Sequence, residues 1–316
     1  MKYASFRYRG GNLGDEIQSL ATEQFLPRVD VLIDRETMRS FEATEPHVVV
    51  FQGWFAEFPE TCFPPAPAIV PVFVGFHVTR DYGAAPYLLA GESLAYLKAH
   101  EPIGCRDDGT RRMLERAGVT AYRSLCLTLT FPRRTAPPED GRVFVVDVTG
   151  VRIPAEIRDG AIVETHEAPQ GSSEDDKRAE VRRLLDAYRE RARLVVTSKL
   201  HCALPCLAMG IPVVFFGDPD DYRYGVLRAI GLPIHRIRPG RGISSALWHF
   251  APFRRLWRTR TWRTVDWDPP LLDLEGLKDE LRSSVRDELE RASAIATGQE
   301  TSRARAPRAA EPGDRA

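Results

Sequence analysis

No stretch of eighteen consecutive apolar residues occurs in the sequence, so nothing in it would cross a membrane as a helix. There is no net charge either. Forty-four basic side chains balance 44 acidic ones, which argues against a dedicated nucleic-acid binder, since those carry a basic excess. There is no Cys-x-x-Cys pair. The five cysteines, Cys62, Cys105, Cys126, Cys202 and Cys206, are scattered and odd in number, which indicates neither a disulfide framework nor a zinc site. Cys202 and Cys206 would share one face of a helix among apolar neighbours and read as packed thiols. No metal-ligand constellation is present, and no metal is expected. Met1 to Arg9 lacks the apolar core of a signal peptide. The expected compartment is the reducing cytoplasm.

What remains is the composition of an ordinary globular protein, 43% hydrophobic and 28% charged. At 316 residues the chain is long for one domain and comfortable for two. Its most informative stretch runs from Leu194 to Phe216. Leu194 to Val196 is a short β-branched run that reads as a buried parallel strand. Ser198 is placed to cap the following helix, Gly210 to end it, and Pro212 to block its continuation. Val213 to Phe216 reads as the next strand. Lys199 and His201 then fall in the first helical turn, at a strand's carboxyl end, where backbone N–H groups and the helix dipole favour an anion. From this segment alone, a site and a merely packed histidine stand level.

The chain begins with an alternating strand over residues 2–8, then Gly10-Gly11-Asn12-Leu13-Gly14-Asp15-Glu16, then Ile17, Leu20, Ala21 and Phe25 at helical spacing. Strand, glycine turn and helix open a Rossmann-like domain, but the spacing is not Gly-x-Gly-x-x-Gly, and no dinucleotide site is read. Asp15 and Glu16 complement the helix dipole in the first turn and would repel a phosphate; hydroxyls of a neutral acceptor suit the turn better. Further strands are expected at Val29–Ile33, Val48–Phe51, Val70–Gly75 and Pro102–Cys105, with His77 and Arg106 at strand ends. Asp107 or Asp108 caps a helix that ends at Gly118.

A Pro- and Arg-rich stretch to Gly141 reads as a linker. A second α/β series follows: strands at Val143–Val148 and Ala161–His166, and a helix over Glu174–Arg191 with Val181, Leu184, Leu185 and Tyr188 on one stripe. The expected fold is α/β with two Rossmann-like lobes and a central cleft. The N-terminal lobe spans 1–132, the linker 133–141, and the C-terminal lobe 142–270. A C-terminal helix at 271–297 and a disordered tail at 298–316 complete the chain. Arginines and tryptophans interleave over 246–263, among them Trp248, Trp257 and Trp262. They fit aromatics packed on the second lobe with solvated arginines better than a membrane or nucleic-acid contact.

Three motifs in this order resemble the polysaccharide pyruvyl transferase family. They are Gly11-Asn12-Leu13-Gly14-Asp15-Glu16, Gly104-Cys105-Arg106-Asp107-Asp108-Gly109-Thr110, and Thr197-Ser198-Lys199-Leu200-His201 with its Gly210-x-Pro212 sequel. The resemblance covers residues 2 to about 230. It implies a GT-B-like pair of lobes and transfer of pyruvate from phosphoenolpyruvate to sugar hydroxyls, forming a ketal on a polysaccharide or glycan precursor. Phosphoenolpyruvate is then a co-substrate and no cofactor is needed. Arg106, Lys199 and Ser198 are the implied donor contacts, with Arg106 and Lys199 clamping the donor from opposite lobes. His201 is the implied proton donor and acceptor, and Asp15 a base toward a hydroxyl. Gly11, Asn12, Asp15 and His77 face the acceptor. Lys199 stands where the family usually has arginine, which keeps the charge and loses the bidentate fork. The acceptor is a sugar or glycan, lipid-linked in one version, which would place the protein peripherally at the inner face of the membrane.

Two other readings compete. One is a GT-B-type glycosyltransferase using a nucleotide-sugar donor, with Asp218, Asp220 and Asp221 available for its ribose. The other is a non-catalytic glycan-binding protein on the same scaffold.

Overall fold

The computed structural model describes residues 1–55, 58–79, 83–237, 252 and 264–299. The Arg/Trp stretch apart from Pro252, and the tail from residue 300 on, lie outside the described residues. The described chain forms three wholly parallel sheets with helices, a mixed α/β fold. Its described residues divide into two compact units: those within 1–9, 22–127 and 281–299 form unit 1, and those within 10–21 and 128–280 form unit 2. No helix among the described residues is long and apolar enough to cross a membrane.

Unit 1 holds two sheets. The first contains β1 (Lys2–Arg7), β2 (Val31–Asp34), β3 (His47–Val50) and β5 (Ile69–Val72) in the order β2-β1-β3-β5. All four residues of β3 are buried, as expected of a central parallel strand covered on both faces. Pro71 cannot donate to a ladder, and β5 accordingly sits at the sheet edge, paired only with β3. The second sheet is shorter: β4 (Gly53–Trp54), β6 (Phe76–His77), β7 (Ile103–Cys105) and β8 (Ala121–Arg123). Gly104 lets β7 approach Phe73, because a Cβ there would stand 2.5 Å from the Phe73 carbonyl oxygen. The core of unit 1 is strongly aromatic. Phe51 meets Phe6 edge-on and stacks on Phe55 with centroids 5.4 and 5.3 Å apart, and Phe63, Phe73 and Phe76 close the cluster.

Unit 2 is built on one five-stranded sheet: β9 (Arg142–Val146), β10 (Ile162–Glu164), β11 (Ala192–Thr197), β12 (Val213–Gly217) and β13 (Ile234–Arg236), in the order β10-β9-β11-β12-β13. Val143 and Val145 of β9 join Leu194, Val196, Val214 and Phe216 on one face. Phe144 points to the other, where its ring meets Tyr188 edge-on at 5.1 Å. Tyr188 belongs to α7 (Glu174–Arg191), which buries Val181, Leu184, Leu185 and Tyr188 in the stripe expected from the sequence. Ser173 and Asp176 form a reciprocal capping box at its start, worth about 1 kcal/mol. Helix α8 (Leu200–Ala208) joins β11 to β12 as the sequence implied. From β9 the chain steps outward to β10, then returns across β9 to β11. The order therefore reverses between β9 and β11, and a ligand crevice is expected at their carboxyl ends.

The units depart from the expected lobes at three points. Gly10–Ala21, expected in the first lobe, groups with unit 2, because Leu13 N–H donates to His166 O and Ala168 N–H to Gly11 O. Residues 133–141, expected as a linker, also belong to unit 2, where Arg134 donates its N–H to Met209 O and its guanidinium to Ala192 O. The C-terminal helix runs Glu275–Ala296 and is divided between the units after Glu280. Its Lys278 is wholly buried and donates to Ala208 O, complementing the carbonyl end of α8.

Candidate active site

Asp147 stands at the carboxyl end of β9, immediately after the strand. Asp147 has φ +51°, a left-handed conformation that Asp tolerates better than most residues. Both its carboxylate oxygens are held: Thr165 Oγ1 donates to Oδ1 at 2.7 Å and His166 N–H to Oδ2 at 2.8 Å. Its carbonyl accepts from Ser198 Oγ at 2.5 Å. That last bond corrects the sequence reading of Ser198. The N-cap of α8 is Lys199, with φ −98° and ψ 123°; its own side chain makes no capping bond, and its N–H donates to Thr197 Oγ1 at 3.0 Å. Ser198 instead ties the end of β11 to the end of β9.

Lys199 leans back toward the same strand ends. Its Nζ is 2.6 Å from Glu167 Oε1 and 3.9 Å from Asp147 Oδ2. Glu167 is backed by the glycine turn, since residues 166–168 run antiparallel to residues 11–13 with an isolated bridge between Asn12 and Glu167. Within the turn, Asn12 Oδ1 accepts from Gly14 N–H at 3.1 Å. Gly14 faces His201, half-buried in the first turn of α8: a Cβ on Gly14 would lie 3.2 Å from both Cβ and Nδ1 of His201. Gly11, Asn12, Gly14, Ser198, Lys199 and His201 are thereby gathered at the carboxyl ends of β9 and β11 in unit 2. A cavity of about 370 Å³ opens beside Asp147, lined also by Thr149, Glu164 and Thr165.

Two acidic neighbours in the turn are buried. Asp15 accepts from Gln18 Nε2 at 3.1 Å, a packed position that lends no support to a role as base toward an acceptor. Glu16 faces α7, with Lys177 Nζ at 3.3 Å and Arg178 at 3.9 Å. Burial, followed by the neighbouring Glu174 carboxylate, pushes Glu16 up to about 8 against the pull of Lys177. Glu16 does lie in the first turn of its helix, as expected, and it also meets the two cations of α7.

His77 and Arg106, expected on opposite sides of the reaction, lie together in unit 1. His77 Nδ1 donates to Asp107 Oδ2 at 2.6 Å, and Arg106 Nε is 3.8 Å from the same oxygen. Asp107 also caps α5 (Asp108–Arg116) by accepting from Thr110 N–H at 2.9 Å. Burial alone would raise this carboxyl, but the bonds and charges of His77 and Arg106 hold it below the usual carboxylate range. Arg106 belongs to unit 1 and Lys199 to unit 2.

Sequence reasoning overlooked Asp147 and Glu167. Asp147 carried a usable signal, a carboxylate directly after the β-branched run Val143–Val146. Glu167 carried none, because its partners Asn12 and Lys199 are distant in sequence. The carboxylates proposed for a nucleotide ribose are engaged elsewhere: Asp218 and Asp220 grip Arg236 at 2.6 and 2.7 Å, and Asp221 holds Arg223. Among the described residues no group of three or more His, Cys, Asp or Glu is placed to hold a metal ion. All five cysteines are buried.

The fold is thus mixed α/β with parallel sheets, and one of these sheets brings an ammonium and an imidazole to the helix start beside its switch point. The family model of polysaccharide pyruvyl transferases matches residues 12–220, and the chain belongs to that family. Among solved structures, it is similar to a functionally uncharacterised protein of Klebsiella pneumoniae subsp. pneumoniae. The identity is 16%, over 72% of this chain and 88% of that one, with a TM-score of 0.45. No curated protein matches significantly.

Proposed function

We propose that the protein transfers a pyruvyl group from phosphoenolpyruvate to hydroxyls of a sugar in a polysaccharide or glycan precursor, forming a pyruvate ketal. The observation that carries this reading is the gathering of Lys199, His201 and the glycine turn at the switch point of unit 2, within the region matched by the family. The donor is a phosphate and a carboxylate on one enol carbon framework. An ammonium and a helix start whose N-cap side chain makes no capping bond suit such an anion.

The chemistry needs one proton donated and two accepted. C3 of the enol takes a proton, which makes C2 electrophilic. One hydroxyl adds to C2, the C2–O bond to phosphate breaks, and the second hydroxyl completes the ketal. The hydroxyls release two protons, one replacing that given to C3 and the other leaving with phosphate. His201 is the group suited to this traffic near neutral pH, typically for 10²–10⁴-fold in rate. The cavity beside Asp147, with Thr149, Thr165 and two carboxylates, offers hydrogen-bonding groups to a neutral polyol. Arg106 as a donor contact and His77 as an acceptor contact remain part of the proposal, as does a GT-B-like arrangement of the two units. No cofactor beyond the co-substrate is invoked. A lipid-linked acceptor would bring the protein to the inner face of the membrane.

Calorimetry with phosphoenolpyruvate and a panel of nucleotide-sugars tests the donor. Phosphoenolpyruvate alone should bind, and Lys199→Ala should weaken it about tenfold, a typical loss for a charged contact. Preferential binding of a nucleotide-sugar would overturn the reading.

A further inference from the structure

The cation assigned to the donor is already compensated. Lys199 Nζ lies 2.6 Å from Glu167 Oε1 and 3.9 Å from Asp147 Oδ2, so one positive charge faces two carboxylates. A donor carrying both phosphate and carboxylate would meet these groups as like charges unless one of them leaves.

The two carboxylates are held differently. Asp147 is fixed on both oxygens by Thr165 and His166, and its side chain is 18% exposed. The Glu167 side chain is 54% exposed, and Lys199 is the partner of its carboxylate among the described residues. The Glu167 backbone is bridged to Asn12, while Ala168 N–H is bonded to Gly11 O at 2.7 Å. Departure of the carboxylate therefore needs side-chain rotation into solvent and no movement of the strap. The cost is small, because an exposed ion pair of this kind contributes at most about a fivefold change in an equilibrium. Asp147 stays behind as the fixed counter-ion that positions the ammonium.

We propose that Glu167 is an internal counter-ion for Lys199 that an anionic donor displaces, and that this exchange sets donor affinity. The inference rests on the reading of Lys199 as the donor's cationic contact. It makes Glu167 a specificity-determining position: an anion strong enough to replace a carboxylate enters, and a neutral molecule does not.

The test compares wild type with Glu167→Gln and Lys199→Met by two measurements. The first is the rate at which Lys199 is acetylated by acetic anhydride, read by peptide mass spectrometry without any donor. The second is the affinity for phosphoenolpyruvate and for inorganic phosphate, by calorimetry at low and moderate salt. Glu167→Gln should accelerate acetylation of Lys199 roughly two- to fivefold and tighten anion binding by a similar factor, most visibly at low salt. Lys199→Met should abolish that gain when combined with Glu167→Gln. Unchanged acetylation with unchanged or weaker anion binding in Glu167→Gln would overturn the proposal. A merely structural glutamate could give only that weaker binding. If Glu167→Gln tightens phosphate binding while neither protein binds phosphoenolpyruvate, the counter-ion role stands and the donor assignment falls.

Discussion

Gly14 shows how one missing atom shapes the site. It lies inside α1 (Leu13–Glu23), where alanine would improve helix propensity by up to about 1 kcal/mol. The added Cβ would nevertheless press on Asn12 Oδ1 at 3.1 Å and on His201 at 3.2 Å. Gly14→Ala should therefore leave the melting temperature within a few degrees of wild type and lower kcat at least about tenfold, since small misplacements of a catalytic group are costly. Normal turnover in a normally stable variant would show that the seat of His201 against the turn is unimportant. The sequence exposed this residue as part of a glycine-rich turn, but its partner lies far along the chain, and no local pattern connects the two. Ser198 teaches the converse. Its cap role followed from local rules, and it was displaced by a nonlocal acceptor, the Asp147 carbonyl, turned toward it by a left-handed backbone.

Helices and strands with strong local signals were legible. The β11–α8–β12 unit follows from a β-branched run, a terminal glycine and a proline, and α7 from a four-residue apolar stripe; its serine cap was not read. Strands β4 and β6 were not legible, because two residues carry no period. The contact of α1 with α7 was also hidden, and it has a measurable consequence through Glu16. Its carboxyl is raised from 4.5 to about 8, so the folded protein keeps a proton that the unfolded chain releases. This contribution is fully present below pH 4.5 and is lost as pH rises through about 8. Chemical denaturation across that window should show wild type losing stability, on the order of a few kcal/mol. Glu16→Gln should flatten the slope. Parallel slopes would mean that Lys177 and Arg178 keep Glu16 ionised throughout.

At the scale of the whole molecule, reading the chain in order placed the glycine turn with the first lobe. Hydrogen bonds from residues 166–168 place it in unit 2 beside Lys199 and His201. One unit thus carries Lys199 and His201 at a helix start and a cavity lined by valines, threonines and two carboxylates, while the other carries the His77–Asp107–Arg106 cluster. The α/β class was legible because alternating β-branched runs and amphipathic stripes are local, whereas the grouping of segments depends on pairings across more than a hundred residues. The central claim is that this chain makes a ketal from phosphoenolpyruvate. It is tested most directly by incubating the protein with phosphoenolpyruvate and a panel of glycan acceptors, and following phosphate release with product analysis by mass spectrometry. Acceptor-dependent phosphate release with a pyruvylated product is expected, falling about 10²–10⁴-fold in His201→Ala. Wild-type turnover in His201→Ala, or no pyruvylated product from any acceptor while a nucleotide-sugar supports transfer, would contradict the account.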